Sequence, residues 1–211
     1  MSLDETRRES LRRSVPPRVE AAPLREAVRS VAAALRAFPD RGMIVGGVAT
    51  LAHGVTRATH DVQATIATTR DIPRVFAALE RFELYPRVDD AVAFARERQA
   101  LPLSHRTSGI AVDLALAWLP FELDALAAAE DLVLGSVEVT VARAEDVVIY
   151  AALGFGRQER QDIERLVALH GRTMDLPRIR RIVAELARAS GDAEREGELE
   201  RLIARGLGLV R

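Results

Sequence analysis

The stretch from Met43 to Gln63 constrains this chain most. Three apolar residues, Met43, Ile44 and Val45, run straight into Gly46-Gly47, and, with thirteen residues between, the chain reaches Asp61-Val62-Gln63, which opens a second strand-like segment. A strand that ends on two glycines, passes through a short helix and returns as a strand opening on a carboxylate brings backbone N–H groups to an anion and sets them opposite a cation ligand. Where a second carboxylate two residues on would complete a metal clamp, position 63 is glutamine. The site reads as partly dismantled.

Around this segment the hydrophobic periodicity changes twice. Leu24, Val28, Val31, Ala32, Leu35 and Phe38 recur at helical spacing. Strand patterns follow at about 42–46, 61–67, 109–117 and 131–141, the last a hairpin turning at Gly135-Ser136, with helical patterns between them at about 70–82 and 119–129. Region 85–107 is ambiguous, helix-like from Val88 to Arg96 and alternating like a strand from Ala100 to His105. After Ala144 only helical patterns remain, near 144–155, 158–169, 175–189 and 193–205. Interleaved elements followed by helices alone predict an α/β or α+β chain, with a mixed sheet and flanking helices over 21–143 and a helical C-terminal bundle over 144–211. Residues 1–20, with Arg7, Arg8, Arg12, Arg13 and Pro16-Pro17 and few apolar positions, read as a flexible arginine-rich arm.

Composition narrows the setting. A chain of 211 residues with 48% hydrophobic content has enough apolar material for one core with a helical appendage. No apolar run is long enough to span a bilayer, and 30 basic against 31 acidic residues exert no global pull on nucleic acid or anionic lipid. The absence of cysteine excludes disulfides, thiolate nucleophiles and cysteine-based zinc sites, and a cytoplasmic setting is expected. Every basic residue is arginine; there is no lysine.

Two-metal phosphoryl transfer needs carboxylates on adjacent strands, so that ions about 3.5–4 Å apart meet the attacking and leaving oxygens. Alternation points Asp61 and Gln63 to one face, and Asp113, in Ile110-Ala-Val-Asp-Leu-Ala-Leu, can join them from a neighbouring strand. Flanked by Val112 and Leu114, Asp113 is expected to be a buried carboxylate in want of a cation. Each residue alone also has a plainer use: an arginine ion pair for Asp113, a strand-start carboxylate for Asp61, an ordinary strand-to-helix turn for the glycines. His60 is expected to face away from the carboxylates, and His53, His105 and His170 have no metal-ligand spacing.

Taken together, Gly46, Gly47, Ala49, Gly54, Arg57, Thr59 and Asp61 resemble the signature of the DNA polymerase β-like nucleotidyltransferases, in particular the AbiEii-type branch linked to type IV toxin–antitoxin systems. The similarity continues through Ser108 to Asp113, Leu119-Pro-Phe-Glu122, Glu145-Asp146 and Asp162-Ile163. It implies a nucleotidyltransferase-type sheet in which Gly46, Gly47 and Thr59 serve the nucleotide and Arg57 binds near it or braces the loop. Asp61 and Asp113 would be the catalytic carboxylates, and Asp61, position 63 and Asp113 would hold Mg²⁺. The implied reaction transfers a nucleoside monophosphate from Mg-NTP to a hydroxyl of an RNA, a protein or a small molecule, and a cognate toxin or antitoxin is an implied partner.

The departures fall at the chemistry. Gln63 stands where the pattern has its second aspartate, Ala151 where the following helix has a lysine, and Gly156-Arg-Gln-Glu159-Arg-Gln-Asp162 disturbs the usual Arg-x-x-Asp-x-x-Asp. A bias against lysine would leave arginine at 151, so alanine marks a lost cation. A unit charge about 4 Å from another is worth roughly 4 kcal/mol at an effective dielectric near 20, and about 1.36 kcal/mol is tenfold in rate. Transfer is therefore expected to be attenuated by orders of magnitude, and a non-catalytic interaction or antitoxin-like protein on the same fold is the alternative.

Overall fold

The computed structural model describes residues 22–38, 42–67 and 71–209; the arginine-rich arm expected over 1–20 lies outside them. Helix α1 (Ala22–Ala37) precedes β1 (Met43–Val45), α2 (Gly46–Ala52), β2 (Asp61–Ala67), α3 (Ile72–Glu80), β3 (Leu84–Pro86), α4 (Ala91–Arg98), β4 (Ala100–His105) and β5 (Ala111–Ala117). Then come α5 (Pro120–Ala127), the hairpin β6 (Glu130–Leu134) and β7 (Val137–Val141), and four helices, α6 (Ala144–Gly154), α7 (Arg157–His170), α8 (Leu176–Ser190) and α9 (Arg195–Gly206). The chain is thus a mixed α/β protein. Strand β3, only three residues long, escapes the periodicity, and 85–107 resolves into β3's end, α4 and β4.

The seven strands form one mixed sheet in the order β3-β4-β5-β2-β1-β7-β6. β2 lies parallel to β5 and β1 parallel to β7, while the remaining neighbours are antiparallel. Because side chains alternate, the register divides the sheet cleanly. Val62, Ala64, Ile66, Leu101, Leu103, Val112 and Leu114 are buried on one face. Helix α1 covers that face: Ser30 bonds His105, and Leu35 meets Ile66 beside Gly42. His105 is consumed there, held on its other ring nitrogen by Ser108.

The opposite face carries Asp61, Gln63 and Thr65. Helices α2 and α5 pack on β2, α6 packs on α2, and α7, α8 and α9 build outward from α6. Carboxylates start several helices: Asp71, Asp90 and Asp175 accept the backbone N–H of Arg74, Ala93 and Arg178 at 3.2, 3.0 and 2.9 Å. Such caps satisfy donors that a helix's first turn leaves free.

Candidate functional site: a cleft at the glycine pair

Strand β1 passes into α2 without a linker, and Gly46 makes the turn with φ +59°, a conformation that penalises a side chain. Its neighbour has a different constraint. A Cβ at Gly47 would come within 3.0 Å of Thr59 and 3.2 Å of the Arg57 guanidinium carbon. Thus Arg57 and Thr59 are packed directly on the glycine pair. The Thr50 hydroxyl donates back to the Gly46 carbonyl at 2.9 Å, holding the first turn of α2.

A cleft of about 190 Å³ opens here, lined by Gly46, Gly47, Thr50 and Arg57 on one side, Asp61 and Gln63 from β2, and Tyr150, Ala151, Glu159 and Asp162 from α6 and α7. That is below the roughly 300–1,000 Å³ usual for small-molecule sites, so a nucleotide would reach past its rim. The lining bears three carboxylates, Asp61, Glu159 and Asp162, against the single guanidinium of Arg57. Ala151 does face the cleft, at the position where the resemblance leads one to expect a cation.

Arg57, Asp162 and Asp61 already have protein partners. Arg57 is paired through Nη1 with Asp162 Oδ2. Burial pushes the Asp162 carboxyl above its ordinary range, against the pull of Arg57 and Gln158. Burial likewise pushes the Tyr150 phenol up, with Glu122 adding to the shift and the Thr65 hydroxyl opposing it. Gln63 Nε2 donates to Asp61 Oδ2 at 3.2 Å, and its Oε1 lies against the place where a Cβ on Gly46 would stand.

Asp113 shares the sheet face with Asp61 and Gln63. The parallel ladder sets it beside Gln63, with Ala111 beside Asp61. The expectation that it is buried among apolar neighbours is corrected: Val112 and Leu114 point through the sheet, whereas the Asp113 side chain is 48% exposed. Its cation is Arg87, whose Nη2 is paired with Oδ1. Arg87 carries no signal in the sequence, because its approach depends on strand order. His60 is exposed, and His53 donates through Nε2 to the Ala142 carbonyl at 2.7 Å.

The other residues of the resemblance have local duties. Glu122 accepts the backbone N–H groups of Trp118 and Leu119, both at 3.0 Å, and so caps α5. Asp146, fully buried, receives Arg143 Nε at 2.8 Å and Arg178 Nη1 at 2.6 Å, tying α6 to α8.

Whether these residues fit a two-ion centre is decided by their donors. No group of three or more His, Asp or Glu side chains is gathered for a metal among the described residues. Of the three positions in question, one offers an amide that donates into Asp61, and another is taken by a guanidinium. The two-ion arrangement does not fit this chain.

Among solved structures, JHP933 from Helicobacter pylori is similar over 99% of this chain and 93% of its own, with a TM-score of 0.48 and 9% identity. An antigenic nucleotidyltransferase-like protein from Paracoccidioides brasiliensis is similar over 83% of this chain and 91% of its own, with a TM-score of 0.42 and 17% identity. No family model and no curated protein matches the chain.

Proposed function

We propose that this chain is a nucleotidyltransferase-like protein of the AbiEii type in which nucleotidyl transfer is attenuated or lost, the cleft binding an NTP weakly through at most one Mg²⁺ at Asp61. The observation that carries this reading is the Gln63 side chain. Its amide donates to one Asp61 carboxylate oxygen, and its Oε1 stands over Gly46, where a phosphate would have to approach. A triphosphate entering a lining of three carboxylates and one arginine needs cations, and the residues supply ligands for few. Gly46, Gly47, Arg57 and Thr59 would serve the nucleotide, with Asp113 flanking the ion. A cytoplasmic setting, a hydroxyl acceptor on RNA, protein or a small molecule, and a cognate toxin or antitoxin belong to the same proposal.

A second reading, a non-catalytic interaction protein, is favoured by one specific observation: Asp146 and Asp162, both part of the resemblance, are occupied by structural ion pairs. Calorimetry with each NTP, with and without Mg²⁺, separates the two. The proposal expects weak, Mg²⁺-dependent binding, little pyrophosphate release, and tighter Mg²⁺ binding in Gln63→Asp, which restores a charge and a ligand. Brisk turnover by the wild type would contradict attenuation. No nucleotide binding by either protein would leave the interaction reading in possession of the cleft.

A further inference from the structure

Four residues lie in one row across the sheet. Arg87 donates its backbone N–H to the Pro102 carbonyl at 3.0 Å, Pro102 is in register with Asp113, and Asp113 is in register with Gln63. Neighbouring strands are about 4.8 Å apart, so Arg87 begins two ladders, roughly 10 Å, from the β5 backbone. An extended arginine meeting an aspartate spans that gap, and Pro102 between them contributes no long side chain to obstruct it. The ladder therefore aims Arg87 at Asp113 by backbone geometry, and the two side chains are paired.

We propose that Arg87 is the resident counter-ion of Asp113: its guanidinium holds that carboxylate in the role that a divalent ion would otherwise fill, and an ion reaches Asp113 only by displacing it. This inference rests on the reading of Asp61 and Asp113 as a former metal pair, and it makes a demand of its own. Gln63 removes a ligand charge, whereas Arg87 adds a competing cation, and the two act separately on ion affinity. Both partners are about half exposed, Arg87 44% and Asp113 48%. Solvent weakens such a pair, so the guanidinium is displaceable and its removal leaves the fold intact.

The test is Mn²⁺ binding to the full chain, followed by the electron paramagnetic resonance of the free ion. Arg87→Ala should bind Mn²⁺ about fivefold more tightly than the wild type, or better, since a competing pair and a like-charge repulsion both disappear. Arg87→Lys should stay near the wild type, and adding Asp113→Asn to Arg87→Ala should abolish the gain. If Gln63→Asp tightens Mn²⁺ binding but Arg87→Ala does not, the counter-ion role is wrong while the metal reading stands. If no variant binds Mn²⁺, both fall. A collapse of the Arg87→Ala fold, seen by circular dichroism, would make the pair architectural and overturn the proposal.

Discussion

Three aspartates that the resemblance singles out meet arginine at different depths, and depth decides what each pair does. Asp113 and Arg87 are half exposed; Asp162 and Arg57 have side chains 4% and 14% exposed; Asp146 is inaccessible between Arg143 and Arg178. An exposed pair contributes about 0–1 kcal/mol, whereas taking one partner from a buried pair costs about 3–5 kcal/mol, because it strands a desolvated charge. Asp113→Ala should accordingly change unfolding free energy by less than about 1 kcal/mol, and Asp146→Ala, which strands two guanidinium groups, should lose about 3–5 kcal/mol. Urea denaturation of the two variants measures both. Equal losses would mean that Asp113 is held more deeply than its exposure indicates. Side-chain alternation made the common face of Asp61 and Gln63 readable from sequence, but exposure of Asp113 was not readable, since apolar neighbours in a strand face the other way.

At the scale of elements, most strands and helices were legible because their periods are long enough to count. The hairpin at Gly135-Ser136 and the four C-terminal helices fall within a residue or two of their expected bounds. Strand β3 was not legible: unlike the wholly apolar, buried β1, its three residues bury only Leu84 and end on Pro86, and it exists by pairing with β4. Histidines had no pattern to read, yet they fasten element ends. His53, just after α2, donates to Ala142 ahead of α6, and its own carbonyl accepts His170 Nε2 at 2.8 Å from the end of α7. Burial lowers the His53 pKa from its ordinary 6.5, against the Ala142 hydrogen bond, with His170 adding to the lowering. As pH falls through 6.5 the unfolded chain takes up the proton before the folded one, so stability present above that pH is lost below it. Wild type should thus lose more melting temperature between about pH 7 and 5.5 than His53→Gln, which keeps a donor for Ala142 without titrating. Parallel melting curves over that range would remove His53 from the account.

At the scale of the whole molecule, the cleft lies where sheet and helices are joined. Arg57, on the connection into β2, reaches Asp162 on α7, and Arg165 on α7 donates to the Thr56 carbonyl at 3.4 Å. The resemblance implied that Arg57 lies near the nucleotide or braces the loop, and its partner 105 residues away is invisible in a local pattern; the guanidinium is paired with Asp162 of the helical region. Arg57→Ala should therefore destabilise the protein by about 3–5 kcal/mol at neutral pH, through a buried carboxylate left without its cation. The sign of its pH dependence follows from Asp162, whose pKa burial already raises in the folded state. Without Arg57 that pKa rises further, so on acidification the folded variant takes up a proton earlier than the wild type and recovers part of its deficit. Denaturation at about pH 7 and pH 5 should show the gap between variant and wild type narrowing at the lower pH, and Asp162→Asn in the variant background should narrow it at both. A gap that does not change with pH, and that Asp162→Asn does not repair, would mean that Arg57 holds the sheet to the helices by packing on Gly47 and Thr59 rather than by its charge.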